Sequence, residues 1–200
     1  ELFYGDLAGY LEDTHWVIRY PYDWRMTIQE AADALSVIVN NALDEHPTQP
    51  IRLLAHSMGG LVARAMIAAN DGELWEHIVE RGGRLVMMGT PNNGSHLMVE
   101  TLFGKSGTIR KLAVLDMEHR IQGLLDIVAG FPGALQLLPR PGFRDTGDPN
   151  EYDYYKQEPW QDLRRHNRDW WFGDGICGLP VQDVLDKAKS LWEGGITQEK

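Results

Sequence analysis

The sequence predicts an α/β fold, with parallel strands between layers of helices up to about residue 94 and a mostly helical insertion after it. Three observations carry this. Short β-rich runs alternate with helix-period stretches from His15 to Met88; the apolar run Ile51 to Ala55 passes through His56 and Ser57 into a helical stretch with no loop; and the alternation stops at Gly89-Thr90-Pro91. The division that follows is a core over 1–94, a helical cap-like insertion over 95–178, and a last helix with its tail over 179–200.

Taken in order, the chain enters helix-like sequence directly, and His15 to Tyr20 reads as a first strand, because Trp16, Val17, Ile18 and Tyr20 are β-formers and Pro21 bounds them. Thr27 followed by Glu30 is a capping-box pair, and Ile28, Ala31, Ala32, Leu35, Ile38, Val39 and Ala42 recur on one helical face up to about Asp44. Pro47 to Pro50 end that helix. Ile51 to Ala55 form the second strand, Met58 to Ala69 the second helix, and Arg84 to Met88 the third strand. This order argues for a parallel sheet with right-handed crossovers. From Ser95 to about Pro139 the periodicity is helical, as at Ile109, Leu112 and Ala113 and again at Met117, Ile121, Leu124, Leu125 and Val128. That stripe is either core or the apolar underside of a lid. Residues 139–178 are rich in Pro, Gly, Asp, Trp and Tyr with little period, and Pro180 to Trp192 reads as the last helix.

Composition excludes several classes. Nineteen basic against twenty-nine acidic residues give a net charge of −10, which repels phosphate backbones, so nucleic acid is not an expected partner. The one cysteine, Cys177, demands no oxidising compartment, and a cytoplasmic location is the expectation. The apolar stretches are too interrupted for a transmembrane segment. No Cys or His pair has zinc spacing, and neither a metal nor a cofactor is expected.

The chemistry concentrates in Ala55-His56-Ser57-Met58-Gly59, a small-x-Ser-x-Gly pattern at a strand-to-helix junction. Such a chain must turn sharply and lift the serine hydroxyl clear of the sheet edge. Small residues two before and two after it, Ala55 and Gly59, then allow strand and helix backbones to approach. Ser57 is therefore the candidate catalytic nucleophile, and the Met58 amide at the helix N-terminus is the candidate oxyanion donor. The bland alternative is a serine that caps a helix.

With those residues in view, the chain resembles the lipase branch of the α/β-hydrolases, and within it the lecithin:cholesterol acyltransferase-like group. The stretches that carry the likeness are Pro21-Tyr22-Asp23-Trp24-Arg25, the His-Ser-Met-Gly-Gly elbow, Gly89-Thr90-Pro91-Asn92-Asn93-Gly94-Ser95, and Gly133-Ala134-Leu135-Gln136-Leu137-Leu138-Pro139, over roughly residues 1 to 140. The resemblance implies a partial α/β-hydrolase fold, a Ser-His-Asp triad, and an acyl-ester or lipid substrate. It further implies an oxyanion amide from an earlier strand's loop, and an acid and a histidine after later strands. Those strands are not recognisable in the sequence, so the chain is expected to be an excerpt of a larger enzyme.

The remaining candidates are weaker. His56 adjoins Ser57, but neighbours on a strand face opposite ways, which makes it a poor base. His96, just past the Gly-Thr-Pro turn, is a substrate-pocket candidate, as are Leu124, Leu125 and Val128. His119 and His166 lie in the cap-like region in ordinary polar surroundings, while His15, His46 and His77 fall at element ends. Asp23 is expected to salt-bridge Arg25 or a neighbouring loop in a packed turn, and Asp145, Asp148, Asp153 and Asp162 to sit in an acidic loop. The expected function is an acyl-ester hydrolase or O-acyltransferase of the lipase and esterase kind, in lipid metabolism. The rival is a non-catalytic module that binds lipid or a partner. Local motifs do not choose between water and an alcohol as acceptor, nor do they give an oligomeric state.

Overall fold

The computed structural model describes residues 4–116, 119–142 and 152–196. After a short helix α1 (Gly5–Glu12), helix α2 (Ile28–Glu45) begins at the expected capping box. The Glu30 amide donates to Thr27 Oγ1 at 3.2 Å, and the Thr27 amide donates to Glu30 Oε2 at 2.9 Å. Its buried stripe is Ile28, Ala31, Ala32, Leu35, Val39, Ala42 and Leu43. Strand β1 (Arg52–His56) then leads through Ser57 into α3 (Met58–Ala68). A 3₁₀ turn (Ala69–Gly72) and α4 (Glu73–Glu80) return the chain to β2 (Arg84–Met88). β1 and β2 are parallel, with Arg52 opposite Arg84 and His56 opposite Met88. A parallel pair needs a long crossover, and α3 with α4 supplies it.

The sheet is smaller than the sequence predicts. His15 to Tyr20 is not a strand, because among the described residues it has no neighbour with which to form a ladder. The segment is fastened by side chains instead: the Tyr20 hydroxyl donates to the Ala31 carbonyl at 2.6 Å, and Trp16 lies against the His46 ring. The expected third layer is also missing among the described residues. The α2–α3 core, with Leu61, Val62, Met66 and Ile78, packs on Leu53 and Leu85. On the same two strands Leu54 and Val86 are 45% and 51% exposed. What is described is thus a mixed fold of many helices and a two-stranded parallel sheet.

Beyond residue 94 the chain is helical, in α5 (His96–Leu102), α6 (Gly107–Leu115), α7 (Ile121–Ala129), α8 (Pro132–Leu135), α9 (Gln157–His166) and α10 (Gln182–Ser190), the last prolonged by a π turn (Leu191–Gly195). Helix α9 corrects the reading of 139–178 as aperiodic. It buries Trp160, and it carries Asp162, which accepts from Tyr152 and Arg165. Asp153 pairs with Lys156, whereas Asp145, Asp148 and Met117 lie outside the described residues.

Two apolar clusters hold this half. Leu102, Leu135, Leu138, Trp160, Cys177, Leu185 and Ala188 form one, and Ile109, Ile121, Leu125 and Ile176 the other. The Cys177 thiol is fully buried, donates to the Gly178 carbonyl at 3.3 Å, and is pushed up to about 12 by burial. Trp192 packs against both this half and the α2–α3 core, which joins them. No helix among the described residues is long and apolar enough to cross a membrane.

Candidate active site

Ser57 stands alone between the last residue of β1 and the first of α3, with φ 53° and ψ −128°. Only one other non-glycine residue among those described, Asn70, has a positive φ, and asparagine tolerates it. For serine such a conformation costs about 1–3 kcal/mol and persists only where the surroundings enforce it. They do so here through two backbone bonds. The Ser57 amide donates to the Met88 carbonyl at the end of β2 (2.9 Å), and the Gly60 amide donates to the Ser57 carbonyl (3.1 Å). Ser57 is formally the N-cap of α3, yet its hydroxyl makes no capping bond, which removes the bland account of this serine. The Met58 and Gly59 amides, at the positive end of α3, have no acceptor among the described residues.

Why the turn is so tight is visible in what surrounds its glycines. A Cβ on Gly60 would overlap the Thr90 side chain, and Thr90 Oγ1 is buried there without a hydrogen-bond partner among the described residues. A Cβ on Gly59 would meet the Tyr22 hydroxyl at 3.7 Å and Ala55 Cβ at 4.0 Å, which is ordinary contact. The strict demand for glycine therefore falls one residue later than the pattern suggests. Burial, with Tyr4 and Tyr20 adding to it, pushes the Tyr22 phenol up to about 12, so it stays a neutral hydroxyl beside the elbow at physiological pH.

The stretches singled out in the sequence meet around this turn. The Gly133 amide donates to the Arg25 carbonyl at 3.2 Å, and a Cβ on Gly133 would strike the Trp24 and Met26 carbonyls. Trp24 packs edge-on to Phe131 at 5.5 Å, while Arg25 pairs with Asp23 at 2.6 Å, the salt bridge expected of that turn. That pairing draws the Asp23 carboxyl down to about 2. Gln136, fully buried, accepts from the Ile28 amide and donates to Gln29 Oε1 at 2.6 Å, so it ties α8 to the start of α2. The Ser95 amide donates to the Leu137 carbonyl (2.8 Å) and the Arg140 amide to the Asn93 carbonyl (2.9 Å). From α3, Arg64 reaches Asn92, donating to its backbone carbonyl (3.2 Å) and to Oδ1 (3.1 Å). Desolvation and the nearby Arg140 lower the Arg64 pKa.

The other candidates are found elsewhere. His56 Nδ1 shares a hydrogen bond with the Tyr4 hydroxyl at 2.7 Å, His119 is held by Asp116, and His166 by Asp162. His15 bonds Thr14 and Arg52. His96, at the first position of α5 behind the Ser95 cap, is half-buried with its ring edge-on to Tyr154. Leu125 is fully buried against Ile109, Ile121 and Ile176, so it fills a core and offers no open surface; Leu124 and Val128 pack against that cluster. No group of three His, Cys, Asp or Glu side chains suited to a metal ion is found among the described residues. Tyr22, Thr90 and Gln136 were not read from the sequence as site-shaping residues; Gln136, a lone amide inside the apolar run Ala134 to Leu138, gave the one local signal.

A serine at a strained strand-to-helix junction, with the first helical amides beside it, defines a serine-elbow protein of the α/β kind. The chain belongs to the lecithin:cholesterol acyltransferase family, whose model matches residues 6–159, more than three quarters of its length. Neither a curated protein nor a solved structure matches it. Membership places the chain among acyltransferase and lipase-like enzymes and implies a lipid substrate.

Proposed function

We propose that this chain carries the nucleophile of a serine acyl-ester hydrolase or O-acyltransferase that works through an acyl-Ser57 intermediate. The observation that carries the reading is the enforced positive φ of Ser57 with its hydroxyl unused for capping. Ser57 Oγ attacks the acyl carbonyl as its proton passes to a general base, and the oxyanion that forms accepts from the Met58 amide. Loss of the alcohol leaves the acyl-serine, which water or a second alcohol attacks. The base, its orienting acid and the second oxyanion donor lie outside the described residues, and the described elements are then one part of a three-layer α/β-hydrolase fold. In this reading 95–178 acts as the cap of the site.

The histidine positions favour one rival, a lipid-binding module without turnover, since no described histidine stands on the Ser57 hydroxyl. Fluorophosphonate labelling of the full-length protein separates the two. The expected result is a single adduct on Ser57 and loss of ester turnover by about four orders of magnitude or more in Ser57→Ala. Labelling elsewhere, or turnover that survives the substitution, overturns the proposal.

A further inference from the structure

A hydroxyl beside the elbow is left unused in the resting structure. Among the described residues, three buried side-chain polar atoms lack a hydrogen-bond partner: Thr90 Oγ1, Asn167 Oδ1 and Trp192 Nε1. Folded proteins rarely keep such atoms, because a group that has left water and found no partner costs stability. Two of the three have an account in bonding or packing. Asn167 uses its amide nitrogen fully, donating to the Phe103 carbonyl at 2.9 Å and to the Ile176 carbonyl at 2.6 Å. The Trp192 indole packs against both halves of the core, a bulk that no aliphatic side chain reproduces. Thr90 has neither account. Its hydroxyl is its one polar side-chain atom, and valine would take the same shape without the penalty. Valine would also suit the backbone, since the residue before Pro91 is held to extended angles that β-branched side chains favour.

The fold places this hydroxyl next to the candidate nucleophile. β1 and β2 run in register with His56 opposite Met88, and the Ser57 amide donates to the Met88 carbonyl at 2.9 Å. One residue further on, Ser57 leaves the first strand and Gly89, at φ 58°, leaves the second. The bend at Gly89 lays Thr90 on the first turn of α3, where Oγ1 and Cγ2 both crowd the Cβ position of Gly60. The unpaired hydroxyl thus lies against the same turn that has Ser57 as its cap and presents the Met58 and Gly59 amides. The surroundings are dry, with Met58 and Gly60 buried and Oγ1 sealed from solvent. A dipole in such a place acts far more strongly than it would in water.

We propose that Thr90 carries a reserve hydrogen-bond donor for the acyl-Ser57 reaction, engaged only when negative charge develops at the elbow. The inference rests on that reading of Ser57. No proton leaves Thr90 and no covalent bond is made or broken there. Rotation about the Cβ–Oγ1 bond turns the hydroxyl hydrogen toward the tetrahedral oxyanion, beside the Met58 amide. Because the hydroxyl has no partner to give up at rest, the interaction is gained in the transition state alone, which raises kcat and leaves KM untouched. The stability forgone in the resting protein is the counterpart of that gain.

The test is Thr90→Val in the full-length protein, followed by kcat and KM for p-nitrophenyl butyrate, by the rate of fluorophosphonate labelling of Ser57, and by the urea midpoint. The variant is expected to be at least as stable as the wild type, to keep its KM, and to lose about tenfold or more in both kcat and labelling rate. Thr90→Ser keeps the hydroxyl and drops the methyl, so it should recover most of the lost kcat even where its midpoint falls. A purely structural role gives the reverse order, with valine active and serine impaired. Wild-type kcat in the folded Thr90→Val variant, or a urea midpoint below that of the wild type, overturns the inference and leaves the acyl-Ser57 reading standing. A wild type that is not labelled at Ser57 overturns both.

Discussion

Gly59 and Gly60 are neighbours on one turn of α3, yet the structure asks different things of them. A methyl group on Gly60 has nowhere to go except into Thr90, whereas on Gly59 it reaches ordinary contact with Tyr22 and Ala55. Gly60→Ala is therefore expected to lower stability by about 2 kcal/mol or more, as overpacking does in a tight site. Gly59→Ala should be within about 1 kcal/mol of wild type, since alanine favours the helix by nearly that amount. Urea midpoints of the two variants decide between them. The sequence made it plain that small residues are needed around Ser57, because the sharp turn is a local demand. It did not say which glycine is obligatory, because Thr90 arrives from the far end of β2.

At the scale of elements, local signals served where the chain supplies its own partner. Thr27 and Glu30 lie three residues apart and cap α2 on their own, and the runs at 51–55 and 84–88 pair with each other. His15 to Tyr20 had equally strong β-forming side chains but lacks a neighbouring strand among the described residues, and α9 has too few apolar residues for its period to show. The turn at Asp169, whose carboxylate pairs with Lys105 and Arg110, was invisible for a similar reason, since those cations come from about sixty residues upstream.

That turn carries a pH dependence. The paired Arg110, then the Phe172 amide, with Lys105 and the Trp171 amide, hold the Asp169 carboxyl well below the ordinary carboxylate range. A group depressed in the folded state contributes stability above its unfolded value, near pH 4, and loses that contribution as pH falls through the folded value. Asp169→Asn should thus melt below the wild type at neutral pH, by about 1–3 kcal/mol, and the gap should narrow under pH 4. A gap that stays constant across that range would show that the carboxylate's charge is not what anchors the turn.

Across the whole molecule, four sequence stretches that lie far apart in the chain converge on one place. The turn at 21–25 abuts 131–133, the stretch 92–95 is clamped on 137–140, and both surround the elbow through Tyr22 and Thr90. Their order and spacing were legible in the sequence, and the resemblance they carry agrees with the family match over 6–159. Their contacts were not legible, because backbone carbonyls make most of them and carbonyls carry no residue identity.

The same architecture gives the protein a built-in reporter. Cys177 is the only thiol in 200 residues, and it is sealed among Leu102, Trp160 and Leu185, while Trp192 bridges that cluster to the α2–α3 core. A thiol reagent added to the folded protein must wait for an opening event, so its rate clocks how often the helical half comes apart. If Trp192 couples the two halves into one cooperative unit, modification of Cys177 and loss of α2–α3 structure will share a single free energy of opening. Faster trapping of the thiol than global unfolding allows would reveal that the helical half breathes alone.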